Sequence, residues 1–167
     1  MQNIILIGFM GCGKSTLGKK LAFKLDFEFI DSDKEIEKIE GKTITEIFEQ
    51  HGEAYFRNLE KQYLEKIQHK QNMVLATGGG LPCFNKNIEF LNHFGITIYL
   101  KLSPTELTKR ILHSKAQRPL IKSNNEEEVY LLVKKMLFER ETFYHEAKHI
   151  LNGKQQKVKF VQELLSE

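Results

Sequence analysis

Gly8-Phe9-Met10-Gly11-Cys12-Gly13-Lys14-Ser15, preceded by the apolar run Asn3-Ile4-Ile5-Leu6-Ile7, is the stretch that decides the fold. A short continuous apolar run ending in glycine reads as a strand buried on both faces. From Lys14 onward the apolar residues return at helical spacing, at Leu17, Leu21 and Leu25. The order is strand, glycine loop, helix, and the loop matches G-x-x-x-x-G-K-[ST] in the context that motif requires. Glycines let the chain curl so that successive N–H groups face one concavity, and the helix N-terminus adds partial positive charge there. Such a cradle fits a polyphosphate: Lys14 reaches the outer phosphates and the Ser15 hydroxyl can ligate Mg²⁺. Cys12 reads as a small filler within the loop, with a thiol activated by the helix N-terminus and Lys14 as the alternative.

Outward from this unit the chain keeps alternating. Phe27 to Ile30 reads as a second strand, Met73 to Thr77 as a third, Ile96 to Leu102 as a fourth and Lys148 to Leu151 as a weaker fifth. Thr43 with Glu46, and Ser103 with Pro104 and Glu106, carry capping-box spacing at two helix starts. Such alternation implies parallel strands joined by right-handed crossovers, hence a three-layer α/β/α fold on a five-stranded parallel sheet, with ligands at the carboxyl ends of the strands. Two segments depart from it. Residues 33 to 70 read as helical throughout, long enough for a helical subdomain, and the polar, aperiodic residues 114 to 125 read as a mobile loop. With no internal repeat or linker, residues 1–167 read as one domain.

Composition narrows the function. Twenty-five basic against 22 acidic residues leave a net charge of +3, too balanced for a basic nucleic-acid-binding face. No apolar run approaches the ~20 residues of a membrane span, and Met1-Gln2-Asn3 does not open a leader, so a cytoplasmic location is expected. Two cysteines, Cys12 and Cys83, make no disulfide framework. Only three residues are Asp, against 19 Glu, and only four are Arg, against 21 Lys. The scarce types mark candidate chemistry, because Lys cannot supply the planar two-point fork of Arg.

Asp31 and Asp33 follow the second strand and, by strand alternation, would face the same side beside the phosphate loop. One can hold the water ligands of Mg²⁺ and the other can take a proton from, or orient, a hydroxyl nucleophile. Asp33 also suits the cap of the following helix. Thr77-Gly78-Gly79-Gly80 ends the third strand in bare backbone, which allows a ligand close to peptide N–H groups. Arg57 has Glu60 three residues on to hold its guanidinium, Arg118 stands in the polar loop, and Arg140 sits on a long helix from Glu126 to Phe143. Phe48 and Phe56 read as core, with a pocket wall as the alternative, and His145 with His149 lack a third ligand for a metal.

Taken together, these elements resemble the shikimate kinase family. The resemblance covers residues 4 to about 151 and rests on Gly8 to Ser15, Asp31-Ser32-Asp33, Ile47-Phe48, Gly52-Glu53, Phe56-Arg57, Glu60, Gly78-Gly79-Gly80, Arg118-Pro119-Leu120 and Glu139-Arg140 with Tyr144. It implies a P-loop kinase fold and transfer of the γ-phosphoryl group of ATP to the 3-hydroxyl of shikimate, in the route to chorismate and the aromatic amino acids. By that resemblance Gly11, Cys12, Gly13, Lys14, Ser15, Thr16 and Arg118 would bind ATP, and Ser15 and Asp31 would serve Mg²⁺. Asp33, Arg57, Gly79, Gly80 and Arg140 would hold shikimate, and Asp33, Lys14 and Arg118 would be catalytic. Residues 33–61 would form the substrate-binding region, residues from about 112 to 125 a lid, and a monomer is expected. The match has departures. Arg110 stands eight residues before Arg118, one more than expected for an adenine-side Arg, and residues 152–157 lack an Arg/Pro-bearing adenine loop. The alternatives are another hydroxy-acid kinase, such as gluconate kinase, and a nucleotide-binding switch without an acceptor.

Overall fold

The computed structural model describes residues 2–114 and 120–166. Its centre is a parallel sheet of five strands: β1 (Asn3–Ile7), β2 (Glu28–Asp31), β3 (Met73–Ala76), β4 (Gly95–Lys101) and β5 (His149–Asn152). Their order is β2-β3-β1-β4-β5, all pairs parallel, with Ile5 opposite Leu75 on one side and Thr97 on the other. The helices α1 (Lys14–Leu25), α2 (Ser32–Glu40), α3 (Ile44–Ile67), α4 (Asn87–Phe94), α5 (Pro104–His113), α6 (Glu126–Tyr144) and α7 (Val158–Leu164) complete a three-layer α/β/α sandwich. Among the described residues no helix is long and apolar enough to cross a membrane.

Burial follows position in the sheet. Every residue of β1 and β3 is buried, as strands covered on both faces must be. The edge strands β2 and β5 each bury only one of their four residues. The core joins Ile4, Leu6, Leu75 and Ile98 of the sheet to Leu21, Ile47, Leu64, Val133 and Val161 of the helices. Each such fully buried aliphatic side chain contributes about 1.5–3 kcal/mol. Both expected capping boxes form, Thr43 with Glu46 and Ser103 with Glu106.

Several boundaries differ from the sequence expectation. The region read as helical from 33 to 70 breaks between Glu40 and Ile44 and ends at Ile67. α3 itself kinks at Gly52, whose φ of 81° and ψ of 174° lie outside the helical region. α5 runs through His113, so the segment expected to be a lid from 112 begins as helix, and the loop starts at Ser114. Of the rest, residues 120–125 are described and lead into α6, whereas Arg118 lies outside the described residues.

Candidate active site

Three strand ends meet at the point where the chain's direction of growth across the sheet reverses, between β1 and β3, which is where open α/β sheets bind ligands. β1 delivers the glycine loop, β2 delivers Asp31 and β3 delivers Gly78–Gly80. Two cavities open there. One, of about 350 Å³, is lined by Gly11, Gly13, Lys14, Ser15, Thr16, Thr77 and Arg110. The other, of about 310 Å³, is lined by Phe48, Phe56, Arg57, Glu60, Gly78, Gly80, Leu120 and Arg140. Met10, Asp31, Asp33 and Gly79 line both, so these residues form the wall the two cavities share.

In the first cavity the loop turns through Gly8, Gly11 and Gly13, all with positive φ. Lys14 is buried, and its ammonium donates to the carbonyls of Gly8 at 2.8 Å and Phe9 at 2.9 Å. Cys12 is fully buried and its side chain is absent from the cavity wall, so within the loop it can offer a ligand only its backbone. Ser15 Oγ donates to Asp31 Oδ2 at 2.6 Å, which sets two hard oxygen donors side by side. Arg110 donates to the Cys12 carbonyl at 3.2 Å, so its guanidinium lies against the loop.

The strand alternation expected for Asp31 and Asp33 does not apply. β2 ends at Asp31, and this residue, not Asp33, caps α2: its Oδ1 accepts from the N–H groups of Asp33 at 3.2 Å and Lys34 at 3.3 Å. Asp33 is thereby released from capping and sits in the first turn of α2, on the shared wall. Burial, and next the charge of Asp31, push its carboxyl up to about 6, against the opposing pull of Lys14 and Arg57.

The glycine triplet proves to be a matter of volume. A Cβ on Gly78 would lie 2.5 Å from Asp33 Oδ1, and one on Gly80 would lie 2.5 Å from the Arg57 guanidinium. One on Gly79 would press on Met10 N at 3.2 Å and Arg140 Nη1 at 3.4 Å. Each glycine therefore makes room for one of the three scarce side chains. Asp33 Oδ1 and Glu60 Oε1, the latter 3.2 Å from the same point beside Gly78, are buried and have no hydrogen-bond partner among the described residues.

Arg57 is held on two sides. Its Nη1 donates to Glu60 Oε2 at 2.8 Å, and its Nη2 to Glu53 Oε1 at 2.9 Å. Phe84 lies 4.3 Å beneath the guanidinium carbon. Burial raises Glu60 to about 7 even though the Arg57 charge opposes it. Arg140, buried on α6, stands 5.6 Å over the Phe9 ring. Phe48 and Phe56, with ring centroids 5.0 Å apart, wall the cavity and so combine the two readings the sequence left open. His145 is engaged with Lys101 at 3.1 Å, and no group of three or more His, Cys, Asp or Glu side chains placed to hold a metal occurs among the described residues.

Four contacts escaped the sequence reading, although Ser32, Glu53 and Tyr144 stand among the residues that carry the resemblance. Ser32 Oγ accepts from the Gly78 N–H at 2.9 Å, Glu53 gives Arg57 a second carboxylate, Phe84 stacks on it, and the Tyr144 hydroxyl donates to the Gly79 carbonyl at 2.6 Å. Glu53 was within reach, because it precedes Arg57 by four residues on one helix face. The other three are long-range contacts with no local signal.

Comparison with known proteins matches residues 10–167 to the family model described as shikimate kinase. A shikimate kinase of Azobacteroides pseudotrichonymphae is 47% identical over 148 residues, which is 88% of this chain and 87% of the relative. Among solved structures, the shikimate kinase of Bacteroides thetaiotaomicron superposes with a TM-score of 0.93 at 39% identity, covering 99% of both chains. That of Acinetobacter baumannii, in complex with shikimate, gives 0.89 at 36% identity, covering 99% of this chain and 94% of the other. With a phosphate-loop cavity and a second cavity sharing one wall, and with relatives this similar along nearly its whole length, the chain belongs to the shikimate kinase family.

Proposed function

We propose that the chain transfers the γ-phosphoryl group of ATP to the 3-hydroxyl of shikimate, with the nucleotide in the glycine-loop cavity and the acceptor in the cavity beneath Phe48 and Phe56. The observation that carries this reading is the shared wall: Asp33 borders both the glycine-loop cavity and the cavity of Arg57 and Arg140. A hydroxyl bonded to its carboxylate stands between the acceptor's body and the phosphates. Asp33 orients it and accepts its proton as the new P–O bond forms. Arg57 and Arg140, on different helices, supply two planar forks for the carboxylate of the acceptor. The Gly79 and Gly80 N–H groups have no hydrogen-bond partner among the described residues and remain available to the acceptor.

On the nucleotide side the backbone of Gly11, Cys12, Gly13, Lys14, Ser15 and Thr16 cradles the phosphates, and Lys14 exchanges its two loop carbonyls for phosphate oxygens. The adjacent oxygens of Ser15 and Asp31 fit Mg²⁺, which prefers few protein ligands and retained waters. Ser15 would bind it directly and Asp31 through its waters, where it would draw charge from the phosphates. Arg118 would reach the same phosphates from the loop between α5 and α6, as that loop closes over the bound substrates and excludes water. The chain is read as a cytoplasmic monomer.

The test is ADP release across a panel of hydroxy acids. Turnover that requires shikimate and yields shikimate 3-phosphate is the expected result. A comparable rate with gluconate, or ADP release indifferent to any acceptor, overturns it.

A further inference from the structure

Beside the glycine triplet, Tyr144 is fully buried at the end of α6 and does not line the acceptor cavity. Its ring packs on Tyr99 at 5.1 Å between centroids, and its hydroxyl donates to the Gly79 carbonyl at 2.6 Å. Burial pushes this phenol well above its ordinary range, so the hydroxyl stays protonated and remains a donor. The carbonyl it holds belongs to the same planar peptide unit as the Gly80 N–H, and no peptide bond among the described residues is cis. In a trans peptide the C=O and N–H point in opposite directions. Gly80 lines the acceptor cavity and Tyr144 does not, so a peptide pinned by Tyr144 at its carbonyl end presents its N–H to the cavity at the other end.

The same peptide is confined on its remaining sides. The Gly79 Cα lies against the glycine loop, where an added Cβ would stand 3.2 Å from Met10 N and 3.6 Å from the Gly8 carbonyl, and against Arg140 Nη1. Gly78 is tied to α2 through Ser32. A glycine peptide with no side chain of its own has wide conformational freedom, and these contacts remove it. We infer that Tyr144 is a positioning residue for phosphoryl transfer: its hydroxyl fixes the plane of the Gly79–Gly80 peptide, and so sets the acceptor hydroxyl at its distance from the phosphates. This inference rests on the acceptor assignment proposed above. It accounts for a tyrosine where the core would accept phenylalanine, and for its place one helical turn beyond Arg140.

Replacing Tyr144 by Phe removes the hydroxyl and leaves the ring packing. In Tyr144→Phe, kcat with both substrates saturating falls about tenfold or more, the KM for ATP stays within twofold, and the KM for shikimate rises. Tyr99→Phe, which removes a hydroxyl 3.4 Å from Glu141 and does not touch Gly79, keeps kcat within twofold. A Tyr144→Phe enzyme that melts at a lower temperature but keeps its kcat per folded molecule shows a structural role only, and overturns the inference. So does a rise in the KM for ATP in proportion to the loss of kcat. The wild-type protein supplies an independent reading if the variant does not fold. The buried Tyr144 hydroxyl proton should give its own downfield resonance, and saturating shikimate should move it together with the Gly80 amide. No movement of that pair on shikimate binding overturns the inference. Turnover of shikimate by the wild type in the same assay separates these outcomes from a wrong acceptor.

Discussion

Asp33 carries two opposed demands. Its ordinary carboxyl value is 3.8, and burial raises it to about 6. The unfolded chain therefore ionises this group above about pH 4, whereas the folded ligand-free enzyme holds the proton until about pH 6. Stability falls as pH rises through that window, and the difference corresponds to at most roughly 3 kcal/mol at neutral pH. Asp33→Asn removes the cost. In urea titrations the Asn variant should be about 1–3 kcal/mol more stable than wild type at pH 7 and no more stable below pH 4. The same change should lower kcat by more than about a hundredfold, because an amide orients the hydroxyl but cannot take its proton. A stability gain equal at both pH values would show that burial of the charge is not its source. At this scale the sequence was half legible. The scarcity of Asp picked out both residues, but which one caps α2 depends on where β2 ends, and one residue of slippage moved the cap from Asp33 to Asp31.

The stretch from Gly41 to Gly52 hangs the cavity roof on two left-handed glycines, with φ of 63° and 81°. Between them the first turns of α3 carry Ile44 and Phe48 onto the acceptor cavity. A Cβ on Gly52 would meet nothing within 4 Å, so a substitution there is penalised by backbone conformation alone. Gly52→Ala should cost about 1–2 kcal/mol in denaturant titration and raise the KM for shikimate, with the KM for ATP unchanged. Gly80→Ala acts by volume instead. Its Cβ would lie 2.5 Å from Nη1 of Arg57, and the KM for shikimate should rise at least tenfold with little change for ATP. Equal effects on both substrates would mean that the two cavities are not separate subsites. The elements themselves were largely legible, because β1 and β3 are continuous apolar runs and two helices start with capping boxes. The break between α2 and α3 and the kink in the latter were not, since a glycine in an otherwise helical pattern does not reveal its φ.

Across the whole molecule, residues 31, 33, 57, 78–80 and 140 come from β2, α2, α3, the segment after β3 and α6, and they line one cavity. The phosphate loop was readable from local spacing alone. The acceptor cavity was readable only as a set of scarce residues, since the fit of Asp33, Arg140 and Arg57 against Gly78, Gly79 and Gly80 involves pairs far apart in the chain. The central claim is that the two arginines read a carboxylate on the acceptor, and substrate-resolved kinetics of Arg57→Lys and Arg140→Lys test it most directly. Lysine keeps the charge and loses the fork, and each charge-assisted hydrogen bond contributes about 1.5–3 kcal/mol. The KM for shikimate should rise about tenfold or more in either variant while the KM for ATP holds, and a shikimate analogue without the carboxylate should serve wild type and both variants equally poorly. An analogue that still separated wild type from the lysine variants as strongly as shikimate does would contradict the account.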